Sequence, residues 1–368
     1  MARTTQATKA KARTATDGIS LDTVIQGDCL KVLSSVDEPF ADLVFADPPF
    51  NIGYTYDEYC DNVEYEQYGN WTRQWMTTCV EVLKPTGSFY VAIGDNFAAE
   101  ARLIGRDLGL TLRNWIIWHY TFGQSTKAMF AKSHTHILYF VRDATNCTFN
   151  DEHLRFPSAR HTEYSDRRAN PMGRVPDDVW NEFPRVCGTF AERAGWHGCQ
   201  MPESLLMRII RASSNPGQVV LDPFVGSGTT VVAAAKLGRR YLGIDISKKY
   251  IAQCRKRLAT AEADATETYR GNGFAWPNLH VETLGQLYRE TGTSYHRLVP
   301  NRVAMECFVR LLNVRLGTPY DVEEVGGLLT WLGDRNKLPK LRNDRPYRER
   351  KRSTRSAERC DRSRTPAR

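Results

Sequence analysis

Residues 219–235, Val-Val-Leu-Asp-Pro-Phe-Val-Gly-Ser-Gly-Thr-Thr-Val-Val-Ala-Ala-Ala, constrain the fold more tightly than any other stretch of the chain. A β-branched run enters a glycine turn and leaves it as an Ala/Val-rich helix, the opening of a nucleotide-binding βαβ unit. Gly226 and Gly228 let the backbone come close to a ligand and adopt angles closed to other residues. The next strand, Tyr241–Ile244, ends at Asp245, seventeen residues past Gly228. An acid there, expected about 20 residues on, can hold both hydroxyls of a ribose. Two phosphate-binding readings fail on this stretch. A P-loop needs Lys after its last glycine, but Gly228 is followed by Thr229 and Thr230. A dinucleotide fingerprint needs a third glycine where Val231 stands, and Asp222 would set negative charge near the pyrophosphate. The pattern suits a nucleoside ligand that lacks phosphate and carries positive charge.

The same rhythm runs through much of the chain. Leu21–Gln26 reads as a strand ending at Gly27-Asp28, and Asp42–Ala46 as a buried parallel strand ending at Asp47-Pro48-Pro49. The spacing of Trp71, Trp75, Cys79 and Val82 predicts a helix over Tyr68–Leu83, followed by a strand at Ser88–Ile93. Asn114–Trp118 and His136–Val141 add two strands. Helices at Pro202–Ser213, Thr229–Leu237 and Lys248–Leu258 alternate with strands at Gln218–Leu221 and Tyr241–Ile244. The expected fold class is therefore α/β, a doubly wound, mostly parallel sheet. This domain is expected over residues 19–265. An insert at about 142–196 breaks the rhythm: it is polar, rich in Arg, Asp, Asn and Pro, with isolated aromatics. A helical accessory unit is expected at 278–338, between a disordered basic leader (1–18) and a disordered basic tail (339–368).

The second informative motif is Asp47-Pro48-Pro49-Phe50. It stands at the carboxyl end of a predicted parallel strand, where α/β ligand sites form. An exocyclic amino group of a nucleobase is a weak nucleophile because its lone pair is delocalised into the ring. A carboxylate (Asp47) and a carbonyl held by consecutive prolines (Pro48) can accept its N–H groups and favour a tetrahedral nitrogen. Phe50 can stack on the base. S-adenosylmethionine, with its cationic sulfonium and no phosphate, matches the ligand read from the glycine half.

At this point the chain closely resembles the β-class amino methyltransferases of bacterial and phage DNA. In that family a (D/N/S)PP(Y/F) motif comes early, a target-recognition segment in the middle and an FxGxG motif late. Here they are Asp47–Phe50, the 142–196 insert and Phe224-Val-Gly-Ser-Gly228, and the resemblance runs from about Leu21 to Leu258. It implies a Rossmann-like methyltransferase domain with permuted motif order. Asp28, Gln200, Asp222, Phe224, Gly226, Gly228, Thr229 and Asp245 would surround S-adenosylmethionine. The catalytic loop would be Asp47, Pro48, Pro49 and Phe50, acting on a base flipped out of double-stranded DNA. Where the family segment before the cofactor strand usually has Lys-Pro, this chain has Met201-Pro202. Adenine N6 is the expected target because the family's cytosine members mostly begin the motif with Ser. Cytosine N4, a non-catalytic DNA-binding protein on the same scaffold and an RNA substrate stay open as alternatives. The recognition sequence, a cognate restriction endonuclease and a homodimer also stay open.

Charge and cysteine content set outer bounds. The formal net charge of +8 belongs to the ends: residues 340–368 carry net +8, residues 1–17 carry +3 and the body carries −3. Such tails attract polyanions without reading sequence. Lys127, Lys132, Arg142, Arg155, Arg160, Arg167, Arg168 and Arg174 cluster in and before the insert, as candidate DNA contacts. The nine cysteines form no C-x-x-C pair, so no metal or redox site is implied, and His134 and His136 read as ordinary strand residues. No apolar run approaches the roughly 20 residues of a membrane span. No membrane partner and a cytoplasmic, DNA-associated location are expected.

Overall fold

The computed structural model describes residues 19–124, 127–188, 192–271 and 273–341. The basic leader and residues 342–368 of the tail lie outside the described residues. Eight strands, β1 (Thr23–Gln26), β2 (Ala41–Ala46), β3 (Leu83–Ile93), β4 (Thr111–Gln124), β5 (Lys132–Val141), β6 (Val179–Trp180), β7 (Val219–Asp222) and β8 (Arg240–Asp245), form one sheet. Their spatial order is β1-β8-β7-β2-β3-β5-β4-β6. The five strands from β1 to β3 in that order run parallel. β5 pairs antiparallel with both β3 and β4.

Alternation along the buried strands divides two hydrophobic layers, because successive side chains point to opposite faces. Val44 and Ala46 of β2 join one layer with α1 (Cys29–Leu33), α2 (Tyr65–Val82) and α3 (Ala98–Asp107). Leu43 and Phe45 face the other layer. There they meet α5 (Glu203–Ser213), α6 (Thr229–Lys236) and α7 (Lys248–Thr266), which follow the short α4 (Ala159–Thr162) in the chain. The expected doubly wound, mostly parallel sheet is present. β4 and β5 extend well beyond the apolar windows that predicted them, because their outer residues pair with each other as a ribbon. α7 continues past its apolar spacing to Thr266, and α3 is a helix the sequence reading did not include.

A hairpin of β9 (Thr268–Gly271) and β10 (Phe274–Pro277) leads to α8 (Asn278–Thr291), α9 (Tyr295–Leu298), α10 (Arg302–Leu316) and α11 (Val322–Asp334). These helices have a core of their own, built on Leu284, Leu287, Phe308, Leu312 and Leu328. The insert contributes Phe156 to that core, and Asn301 Nδ2 donates to the His161 carbonyl at 2.9 Å. The segment without sequence rhythm is therefore packed, with Trp180 and Phe183 buried against the sheet. Its regularity is tertiary: Phe156 bridges to Arg174, and β6 pairs with β4.

A buried charge network joins these parts. Arg208 of α5 pairs with Glu182 of the insert at 2.5 Å and with Glu290 of α8 at 3.0 Å. Glu290 also accepts from Arg315 of α10 at 2.6 Å, and Arg315 donates to the Leu154 and Arg155 carbonyls. The Arg208 guanidinium lies 4.4 Å from the Phe183 ring centre. Burial opposes the Glu290 charge, but Arg315 and Arg208 hold its carboxyl below the usual range. Removing one partner of such a group leaves an uncompensated buried charge. Glu290→Gln is expected to cost about 3 kcal/mol in urea unfolding, at the lower end of the range for broken buried pairs. A loss below about 1 kcal/mol, the level of a surface pair, would show that the network does not hold the insert to the helices.

Candidate active site

Sheet polarity brings the two motifs together. β1, β8, β7 and β2 are neighbours running the same way, and each ends in or just before an aspartate: Asp28, Asp245, Asp222 and Asp47. All four line one cavity at the carboxyl edge of the sheet, together with Pro49, Phe224, Gly226 and Thr229. The cavity has a volume of about 250 Å³. No described residue lining it is Lys or Arg.

The carboxylates are tied to backbone as well as to the cavity. Asp28 caps α1, accepting from Leu30 N at 3.0 Å. Asp222 accepts from Phe224 N at 2.9 Å. Asp245 accepts from Gly226 N at 2.9 Å and Ser247 N at 2.8 Å, joining the glycine loop to the start of α7. Burial, and after it the neighbouring Asp222, push the Asp47 carboxyl up to about 8. Burial raises Asp222 to about 7 despite hydrogen bonds that oppose it, and Asp245 adds to the rise. Asp245 is itself raised, chiefly by burial.

The loop after β2 is rigidly held. The Tyr68 hydroxyl donates to the Pro49 carbonyl at 2.5 Å. Asn51 adopts φ +58°, and its backbone N–H donates to buried Asp61 at 2.6 Å. Asp61 also accepts from Ile52 N and Tyr54 N. Farther along, Asp57 accepts from the Ser247 hydroxyl at 2.6 Å, so the loop reaches across to the β8–α7 turn. Tyr56 and Tyr59 line the cavity on the way, and Tyr59 stacks on Trp71 with ring centres 5.7 Å apart.

Four expected site residues sit behind the cavity rather than on its wall. Pro48 is buried within the loop. Phe50 packs on Gly94, where an added Cβ would stand 3.3 Å from the ring. Gly228, at φ +82°, faces Cys254 of α7, whose sulfur would lie 2.4 Å from an added Cβ. Gln200 is buried, accepting from Ala194 N and donating to the Glu192 carbonyl, each at 2.7 Å. It fixes the end of the insert. In contrast, Tyr56, Tyr59, Trp71, His197, Cys199, Met201 and Tyr250 line the cavity without having been singled out. An aromatic cluster soon after the catalytic motif, and His197 just before the expected Gln200, were the available signals.

Most expected DNA-contact cations have local partners. Arg142 donates to the Val80 and Leu83 carbonyls, Arg155 pairs with Asp151, Arg160 and Arg168 share Asp166, and Arg174 lies over Phe156. Lys132 pairs with Asp95, while Lys127 and Arg167 are exposed. His136 accepts from Trp115 Nε1 at 2.9 Å, an ordinary cross-strand role.

Residues 41–256 match the N6/N4-type family model described as DNA methylase. That span covers both motifs, the insert and all of the cavity lining except Gly27, Asp28 and Cys29. The chain belongs to this family. It is 36% identical over 236 residues to the type II methyltransferase M.HpaI of Haemophilus parainfluenzae, covering 64% of this chain and 73% of the relative. It is 36% identical over 258 residues to the DNA adenine methyltransferase YhdJ of Escherichia coli K12, covering 68% and 87%. The fold matches that of PvuII DNA methyltransferase (cytosine-N4-specific), with a TM-score of 0.51, 18% identity, and 79% and 92% of the two chains covered.

The acid cluster of this methylase has a measurable consequence without ligand. Asp47 and Asp222 keep protons in the folded chain at pH values where an unfolded aspartate, near 3.8, has lost them. The native state then binds more protons than the unfolded state, so stability falls as pH rises from about 4 toward about 8. Each group adds up to about 1.4 kcal/mol per pH unit within its window. Asp47→Asn and Asp222→Asn should each flatten this slope and leave the cofactor-free protein more stable than wild type at pH 8. Unfolding curves at pH 5 and pH 8 check it; parallel slopes in all three proteins would refute the acid cluster.

Proposed function

We propose that this methylase transfers a methyl group from S-adenosylmethionine to N6 of an adenine rotated out of duplex DNA, at a specific site. The observation that carries this reading is the adjacency of Asp47-Pro48-Pro49 to the glycine loop and to Asp222 and Asp245 in one cavity.

The cavity fits the cofactor on three features of its own. Its carboxylates are crowded and its described wall holds no Lys or Arg, so a ligand with positive charge relieves their repulsion. Gly226 at φ +43° leaves room that a side chain would fill, since an added Cβ would lie 2.8 Å from His197. His197 Nδ1 is buried without a hydrogen-bond partner, and burial lowers that ring's pKa to about 4, so a neutral imidazole is available. Asp28, Asp222, Phe224, Gly226, Thr229 and Asp245 would hold the cofactor, with Asp245 suited to ribose hydroxyls. When bound, the cofactor supplies an electrophilic methyl on a sulfonium.

The remaining chemistry belongs to the chain. Asp47 and the Pro48 carbonyl accept the two amino N–H groups and draw the nitrogen lone pair out of conjugation. The ionised carboxylate is required for this, and positive charge in the cavity favours that form over the proton held in its absence. The proton released from the amino nitrogen passes to the Asp47 carboxylate or to water. Tyr68 and Asp61 hold the loop so that its acceptors need no rearrangement. Tyr56, Tyr59 and Trp71 offer an aromatic wall for a flipped base.

Aspartate at position 47 and similarity to a named adenine methyltransferase support N6 of adenine over N4 of cytosine. The insert at 142–196 is proposed as the segment that selects the target sequence. Among the described residues no helix is long and apolar enough to cross a membrane, and a DNA substrate places the enzyme wherever cellular DNA is. Tritium from methyl-labelled cofactor should enter duplex DNA and be recovered as N6-methyladenine after digestion. Asp47→Ala should lower kcat/KM by at least about 10³-fold while cofactor binding persists. Recovery of N4-methylcytosine would overturn the adenine reading, and undiminished activity of the variant would overturn the role of Asp47.

A further inference from the structure

Phe130, at the tip of the β4–β5 hairpin, is 98% exposed. Aromatic side chains of this size usually bury most of their surface. The position of the hairpin suggests what would cover it. β5 is antiparallel to β3, with His136 opposite Ile93, so β5 begins where β3 ends. The ribbon continues outward from there, His119 pairing with His134 and Gln124 with Lys132. Its tip thus projects from the same carboxyl edge that carries the cavity. Lys132, two residues from Phe130, pairs with Asp95 at 2.9 Å, and Asp95 follows Gly94, on which Phe50 of the catalytic loop packs. The tip is anchored next to the motif that must receive the base.

The surroundings carry positive charge and exposed apolar surface. Lys127 is exposed on the tip. Arg185 is exposed with its guanidinium 5.7 Å from the ring centre of Tyr120 on the hairpin stem. The same guanidinium acts electrostatically on Tyr54, beside the cavity mouth. Ile52, on the loop that roofs the cavity, is 64% exposed. Cations suited to phosphates, on the tip and beside the stem of a hairpin that carries an uncovered aromatic ring, match the chemistry of a duplex entered between base steps.

Given DNA amino methylation as the function, we propose that Phe130 is the wedge that enters the base stack and fills the space left by the extruded base. It is a positioning residue: it favours the open duplex and does not touch the methyl group or the cofactor. The substrate for the test is a duplex carrying the site found by mapping methylated positions in DNA from an expressing host. With 2-aminopurine at the target position, wild type should raise the fluorescence on binding, and Phe130→Ala should lose most of that rise.

On an ordinary duplex Phe130→Ala should lower kcat/KM by at least about tenfold, since a paired base must be unstacked before it can enter the cavity. Opposite an abasic position, where pairing is already lost, the variant should come within about threefold of wild type. Phe130→Trp should keep most of the duplex activity, and cofactor affinity should be the same in all three proteins. Equal activity of Phe130→Ala on the ordinary duplex would overturn the proposal, as would an equal loss on both substrates. A change in sedimentation caused by Phe130→Ala would assign the ring to a contact between copies of the chain and overturn it too. If wild type transferred methyl to no DNA, the functional reading beneath the wedge would fail first; a wild type active on DNA isolates the wedge itself.

Discussion

Four aspartates on four adjacent parallel strands set the electrostatic problem that the rest of the molecule accommodates. Parallel pairing of β1, β8, β7 and β2 points their carboxyl ends in one direction, so Asp28, Asp245, Asp222 and Asp47 converge whether or not they repel. The layers on both faces of the sheet hold them there. Hydrogen bonds from Leu30, Phe224, Gly226 and Ser247 offset part of the cost at three of the four. Asp47 receives the least relief and is shifted furthest. A cationic ligand would relieve that crowding, at Asp47 as at the other three.

The catalytic loop is rigid for reasons that lie outside the motif. Pro48 and Pro49 restrict the backbone, but Tyr68 from α2 and Asp61 from the far end of the loop fix its direction. The stretch between them crosses the cavity and fastens to Ser247 through Asp57. One continuous segment thus reaches from the Asp47 end of the cavity to the β8–α7 turn beside Asp245. On the other side, Arg208, Glu290 and Arg315 bind the insert, the cofactor half and the C-terminal helices into a shared core. The insert and the half that carries the glycine loop therefore do not move independently at low cost.

Much of this was legible in the chain alone. The strand–glycine–helix run at 219–235 and the strand ending at Asp47 carry their own periodicity, and buried parallel strands read clearly because both faces are apolar. Gly226 and Asp245 were legible because their roles follow from backbone freedom and charge. The stretch at 278–338, expected to be helical, holds α8 to α11. Less visible was the side of the wall on which a residue would fall. Gln200 looked like a ligand-facing residue, yet its amide is used by Ala194 and Glu192. Arg142 looked like a DNA contact, yet its guanidinium closes the junction between α2 and β3 by bonding the Val80 and Leu83 carbonyls.

The sequence by itself determined the fold class, the order of the two motifs and the chemistry each can support, because periodicity, glycine and charge are local properties. Only the tertiary structure decided that Asp47 and Asp222 share one cavity, since strand order is set by pairings between residues more than 170 positions apart. It alone gave the 142–188 region its form: Phe156 packs on helices that come more than 100 residues later, and Trp180 and Phe183 pack on the sheet. It alone set Phe130 bare at the carboxyl edge of the sheet, because exposure depends on which elements pass nearby and, among the described residues, none covers it.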